Sequence, residues 1–292
     1  MFWKSRHMNR VLLAAAGLLL CPAGAMAQRS PLIPNEVLIT AWEHSDKVDI
    51  APTVKEVGFN TIWTHDKAYD GTYKLEDTLM YRHLNTPGVK YVIAKIERSV
   101  WGWKHDQSMA HAEWIAKQAL TEKRIIGVYL NDFYGEMDAV KRPEAEKDPR
   151  SQGGRTDAQW REIIAKIRAT NPKLPIWLPC YPRMELDRAF DYDFDGVVVS
   201  FYGERLLPYA DEVLSIISKK FKGKTIIAGL YLNSGTVPGW QNPEEYKQTL
   251  ATFVRYINES KIHGLRIFRV ADLQERPEFA TWAKEAIAKI NR

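Results

Sequence analysis

The sequence predicts a single (β/α)8 barrel. Three observations carry that expectation. Eight short apolar runs are rich in β-branched residues, helical patterns lie between them, and no linker, low-complexity tract or internal repeat marks a domain break. Such alternation is the pattern of a parallel sheet covered by helices. The chain has 292 residues, and single barrels of about 250 residues are common.

Taken in order, the first strand is expected at Glu36–Trp42, with a helical pattern at Val48–Val57. Thr61–His65 and Leu75–His83 make the second pair, Tyr91–Ile96 and Met109–Glu122 the third. Ile125–Leu130 is followed by a helix at Asp157–Thr170, which Thr156 caps. Pro175–Leu178 precedes a short pattern at Met184–Phe190, and Gly196–Phe201 precedes Tyr209–Phe221. Thr225–Leu232 leads into Pro243–Glu259. There Asn242 is the cap, Pro243 opens the first turn, and Glu244 and Glu245 suit the positive end of the helix. Gly264–Val270 and Pro277–Ile290 close the chain. The alternative is an open doubly wound sheet. That fold cradles phosphate on a glycine-rich turn after its first strand, and Ala41-Trp42-Glu43-His44 has no glycine.

Residues 1–27 read as a cleavable signal peptide. Lys4, Arg6 and Arg10 precede the apolar run Val11–Leu20, and Ala25-Met26-Ala27 offers a cleavage site before Gln28. The run is too short to span a bilayer core of about 30 Å. A lipoprotein site at Cys21 would want a small residue where Leu20 stands. The expected organisation is therefore residues 1–27 as leader and 28–292 as one barrel domain, periplasmic or secreted and without stable membrane insertion. The leader holds three basic residues and no acid, so the rest of the chain carries +2 of the +5 formal charge. That balance gives no reason to expect nucleic acid as a partner. Cys180 is the only cysteine beyond the leader, which excludes an internal disulfide. The pattern specifies no oligomeric state.

In this architecture the active site lies where the strands end. The strand ends carry Glu43 and His44, then His65 and Asp66, then Lys95, Glu97 and Arg98. Next come Asn131 and Asp132 with Glu136 beyond, then Cys180 and Tyr181, then Tyr202 and Glu204, and finally Arg269 and Asp272. On the fourth strand, alternation is expected to turn Ile126, Val128 and Leu130 outward and Gly127, Tyr129 and Asn131 inward. Aromatic residues fill the loops that follow: Trp101, Trp103, Phe133, Tyr134 and Trp240. Flat rings suit the C–H faces of sugars, and carboxylates and amides suit the hydroxyls. The charged stretch from Phe133 to Arg155 is long enough for a lid or a subsite wall, or for a solvated insertion.

Hydrolysis of a glycosidic bond needs two carboxyl groups across the bond, one as acid and one as nucleophile or base. Asp132, Glu204 and Glu136 are the expected catalytic residues. Glu43, His65, Glu97, Trp101, Trp103, Asn131, Tyr202, Trp240, Arg269 and Asp272 are the expected substrate contacts. Arg269, Arg98 and Lys95 would leave room for an acidic sugar.

On those residues the chain resembles a glycoside hydrolase of the TIM-barrel type, in architecture over the whole mature chain. Asn131-Asp132 is similar to the Asn-Glu that ends the fourth strand in the large retaining clan, with Asp in place of Glu. That clan has a Glu at the end of strand seven, where this chain has Tyr231-Leu232-Asn233-Ser234. Val128–Tyr134 and Ser200-Phe201-Tyr202 resemble parts of chitinase-like barrels, without the spaced Asp-x-Asp-x-Glu. Asp132 and Glu204 also match the strand-four nucleophile and strand-six acid of α-galactosidase-like barrels. The resemblance implies an exported glycosidase acting on a carbohydrate.

No cofactor and no metal are expected, because neither a His-x-His strand end nor His-Glu-x-x-His occurs. Gly-x-Ser-x-Gly is absent too. The rival readings are a non-catalytic barrel that binds glycan or a partner in envelope polysaccharide handling, and a polysaccharide lyase using Tyr202 or His65 as base.

Overall fold

The structure is a computed structural model. It describes residues 33–66, 71–72, 74–96, 104–131, 133, 155–181, 186–202, 207–232 and 240–291. Eight parallel strands close into a barrel in chain order. They are β1 (Leu38–Glu43), β2 (Thr61–Thr64), β3 (Tyr91–Ile96), β4 (Ile125–Leu130), β5 (Ile176–Cys180), β6 (Gly196–Phe201), β7 (Thr225–Tyr231) and β8 (Gly264–Phe268). β8 pairs back onto β1 through Leu38 opposite Gly264 and Ala41 opposite Ile267.

Eight α-helices surround the strands among the described residues: α1 (Ala51–Val57), α2 (Leu79–Leu84), α3 (His105–Thr121), α4 (Asp157–Thr170), α5 (Ala210–Lys220), α6 (Pro243–Asn258), α7 (Val270–Glu275) and α8 (Pro277–Ile287). Their ends follow local chemistry. Thr156 accepts from the Gln159 N–H, and Asn242 accepts from Glu244 and Glu245. Gly58 closes α1 at φ 83°, a conformation that glycine adopts at little cost.

Three local expectations need correction. The expected helix Leu75–His83 divides at Thr78 into a 3-10 turn, Leu75–Asp77, and α2, because the Thr78 hydroxyl caps the second piece by accepting from Tyr81. The expected helix Met184–Phe190 is a 3-10 segment over Leu186–Asp191. The expected eighth strand stops at Phe268. Arg269 then adopts φ 58° and ψ 123°, and α7 begins at Val270.

Apolar side chains fall into two layers. One packs the outer faces of the strands against the helices. The other fills the barrel with Leu38, Trp63, Ile93, Ile126, Tyr129, Trp177, Val198 and Ile227. β4 departs from simple alternation. Val92 pairs with Ile125, but Ala94 pairs with Val128, so two residues of β3 oppose three of β4. This bulge reverses the parity of the strand's start. Ile126 therefore lies inside, contrary to expectation, while Val128 and Leu130 pack outward and Tyr129 inward.

Candidate functional site

The mouth of the barrel is made by the inward residue at or just past the end of each strand. Five neighbouring strands supply rings. Trp42 of β1 meets Phe268 of β8 with ring centroids 4.3 Å apart, and Phe268 stacks on Tyr231 of β7 at 4.0 Å. Tyr231 meets Tyr202 after β6 at 5.7 Å, and Tyr202 meets Tyr181 after β5 at 6.2 Å. The result is a continuous aromatic arc from β1 round to β5. The other side is polar, with His65 after β2, Lys95 on β3 and Asn131 after β4. The two sides join at Trp42, where Lys95 Nζ sits 3.7 Å from the ring centroid. That contact places a cation over a negative π-face.

His44 and His65 stand together beside Trp42, with their rings 6.5 Å apart. Partial burial holds the His44 imidazole below its ordinary range. The Glu43 carboxylate opposes this, and Lys95, Arg269 and His65 add to it. Ionisable groups from the ends of β1, β2, β3 and β8 therefore meet at one place.

The acids of the described rim have protein partners. Glu43 is completely buried. One of its oxygens accepts from the His44 and Ser45 N–H groups, both at 2.9 Å, and the other from the Ala271 N–H at 3.0 Å. Glu43 thus ties the end of β1 to the start of α7. It does not face the mouth, because Trp42 takes the inward position and alternation turns Glu43 away. Asp66 accepts from the first N–H groups of α2, Leu79 at 2.6 Å and Met80 at 3.3 Å. Burial lifts its carboxyl to about 6 against those two bonds. Asp272 is enclosed and accepts from Arg269, and burial raises it too, with Arg269 pulling the other way. Arg269 remains about one-third exposed at the rim.

Among the other expected contacts, Asn131 is buried just past β4, and its N–H donates to the Ile96 carbonyl at 3.1 Å. His65 and Tyr202 are half-buried at the mouth. Trp240, expected over the substrate, packs instead against Phe279 of α8, with the Arg276 guanidinium 5.2 Å above its ring. Asp132, Glu136, Glu204, Glu97, Trp101 and Trp103 lie outside the described residues.

The sequence reading does not single out Trp42, Tyr181, Tyr231 or Phe268 as ligand contacts. A signal for them exists. Each holds the inward parity of its strand, so counting by twos from the buried interior residues picks them out. Reading the most polar residue at each strand end chooses Glu43 over Trp42 and misses the arc.

No protein-family profile matches the chain, and a search of curated proteins finds no relative. Its barrel is similar to those of solved glycoside hydrolases. A GH2 β-galacturonidase from Eisenbergiella tayi aligns with a TM-score of 0.54 at 14% identity, over 88% of this chain and 52% of that one. A thermostable mutant of a xylanase from Cellvibrio japonicus aligns at 0.55 with 11% identity, over 81% of this chain and 87% of that one. A GH18 chitinase from Pseudoalteromonas aurantia aligns at 0.53 with 11% identity, over 86% and 99%. The chain spans about half the length of the β-galacturonidase. At these identities the likeness establishes the barrel fold.

Proposed function

We propose that the protein is an exported glycoside hydrolase acting on a polysaccharide or oligosaccharide. The aromatic arc of Trp42, Phe268, Tyr231, Tyr202 and Tyr181, facing His65, Lys95 and Asn131, carries this reading. Sugars present apolar C–H faces and a fringe of hydroxyls, and this mouth offers rings on one side and polar groups on the other. Asp132 is the nucleophile or charge stabiliser, with Glu204 or Glu136 as the acid. The leader directs the chain to the periplasm or the medium. Glycoside hydrolases among the similar barrels support the same class of activity.

A second reading has one observation in its favour. Glu43, Asp66 and Asp272 are all held by protein donors. A mouth that keeps its described acids for its own backbone and side-chain donors suits a barrel that grips glycan without cleaving it. The test uses the chain from Gln28 to Arg292 on a panel of bacterial and plant polysaccharides, reading reducing ends and unsaturated sugars. Reducing-end release that falls at least a hundredfold in a folded Asp132→Asn variant is the expected outcome. Release unaffected by the substitution removes Asp132 from the chemistry. Binding without release favours the non-catalytic barrel, and unsaturated products favour a lyase.

A further inference from the structure

Below the aromatic arc the barrel encloses an arginine. Arg266 of β8 is only 2% exposed. In register it lies between Gly229 of β7 and Thr40 of β1, and Ser200 of β6 follows Gly229. The missing side chain at Gly229 makes the space, since a Cβ there would stand 3.2 Å from Arg266 Nη2. The guanidinium can therefore lean across β7 and donate to Ser200 Oγ at 3.3 Å. Rings surround it, with Trp63, Tyr129 and Tyr231 centred 5.3, 5.6 and 6.0 Å from Cζ.

None of these neighbours carries negative charge. A guanidinium has five N–H donors, and one long bond to a hydroxyl engages one of them. Nε is enclosed and has no acceptor. Nη1 has no acceptor among the described residues either. Among the described residues, the acids of the rim are committed, Glu43 to three backbone N–H groups, Asp66 to two and Asp272 to Arg269. The faces of Trp63 and Tyr129 offset part of the charge, but a buried cation without a counter-ion is costly to fold. Thr40, whose hydroxyl accepts from Trp63 Nε1 at 2.7 Å, offers it no charge either.

A ligand can supply what the described residues withhold. The guanidinium fork matches the two oxygens of a carboxylate. Tyr231 belongs both to the arc and to the rings around Arg266, and Phe268 stands two residues further along the same face of β8. A pyranose lying on the arc with its carboxyl group turned inward would meet Arg266. We propose that Arg266 is the receptor for the carboxylate of an acidic sugar, so that the substrate is a uronate-bearing glycan. This rests on the carbohydrate reading above and names its substrate class.

The test measures binding apart from cleavage. The chain from Gln28 to Arg292 is titrated by calorimetry at pH 7 with tetramers of galacturonate and of mannuronate, with cellotetraose, and with inorganic phosphate. At least one uronate tetramer is expected to bind tenfold or more tightly than cellotetraose. Arg266→Met, which keeps the volume and removes the charge, is expected to abolish that preference while leaving the circular dichroism unchanged. A uronate preference that survives in the folded Arg266→Met variant overturns the proposal; if that variant fails to fold, Arg266→Lys, which keeps the charge and loses the two-oxygen fork, is expected to weaken the preference at least threefold, and an unchanged preference overturns it. Equal binding of neutral and uronate tetramers, or no binding of either uronate, overturns the proposal. Phosphate binding that depends on Arg266 without a uronate preference also overturns it, because the receptor is then one for a free inorganic anion. Uronate binding without glycan cleavage upholds this inference and defeats the hydrolase reading. Cleavage confined to neutral glycans does the reverse.

Discussion

His83 shows what a single side chain costs when the fold leaves it without partners. It lies in α2, is 2% exposed, and neither ring nitrogen has a hydrogen-bond partner. Burial pushes its imidazole down to about 4, and Arg82 beside it works in the same direction. In the unfolded chain the ring takes a proton near its ordinary 6.5, so the unfolded state binds the proton more readily. Stability from this residue is therefore full above 6.5 and falls as pH drops toward 4, by about 3 kcal/mol in all. His111 acts in the same sense, since complete burial pushes it to about 3. Asp66 acts oppositely. Its folded carboxyl holds a proton up to about 6, so its contribution is full below 3.8 and is lost as pH rises through 6. His83→Phe should lose about 2 kcal/mol less stability than wild type between pH 7 and pH 4.5. Urea unfolding at the two pH values checks this, and equal losses would acquit His83.

At the scale of elements, close approaches of the backbone decide where strands start, bulge and end. Gly264 begins β8 opposite Leu38, and a Cβ at 264 would stand 2.2 Å from the Leu38 carbonyl oxygen. Backbone cannot give way as a flexible side chain can. Gly264→Ala should therefore cost about 2 kcal/mol or more, read as a lower denaturant midpoint with an unchanged slope. Gly127, at the β4 bulge, faces the Trp177 indole in the same way, at 2.3 Å from Nε1. At the other end of β8, Arg269 sits at positive φ, where a side chain is strained. The Glu43 bond to Ala271 and the Arg269 pair with Asp272 hold that corner against the strain. The strand thus stops two residues short of expectation, and the chain enters α7 at the rim.

For the whole molecule, closure of the barrel and its cover of helices keep water from the outward faces of the strands, even at their ends. Cys180 illustrates it. The residue ends β5 at 3% exposure, and burial pushes its thiol up to about 12. In a chain that starts at Gln28 it is the only cysteine. Ellman's reagent at pH 8 should therefore label it at the rate of global unfolding, and one thiol per chain should appear at once in denaturant. Labelling within seconds of mixing with the native protein would mean that β5 opens locally. The same closure explains the mouth, because eight strands twisting in one direction bring eight inward residues to one ring.

Periodicity and caps, which act within a few residues, determined the eight strands, the strong helices and the barrel order, and Asp157–Thr170 matches α4 at both ends. The end of β8 and the β4 bulge depend on contacts with other strands, which local pattern does not contain. The site divides in the same way. His65, Asn131 and Tyr202 at the mouth were legible as polar or amphipathic strand ends. The burial of Glu43, the retreat of Trp240 onto Phe279, the arc from Trp42 to Tyr181 and the enclosure of Arg266 beside Gly229 were not. A sequence states which residues are polar. Only closure of the barrel brings residues as far apart as Glu43 and Ala271, or Ser200 and Arg266, within hydrogen-bonding reach, and that proximity decides which polar group is already satisfied and which still has donors to offer.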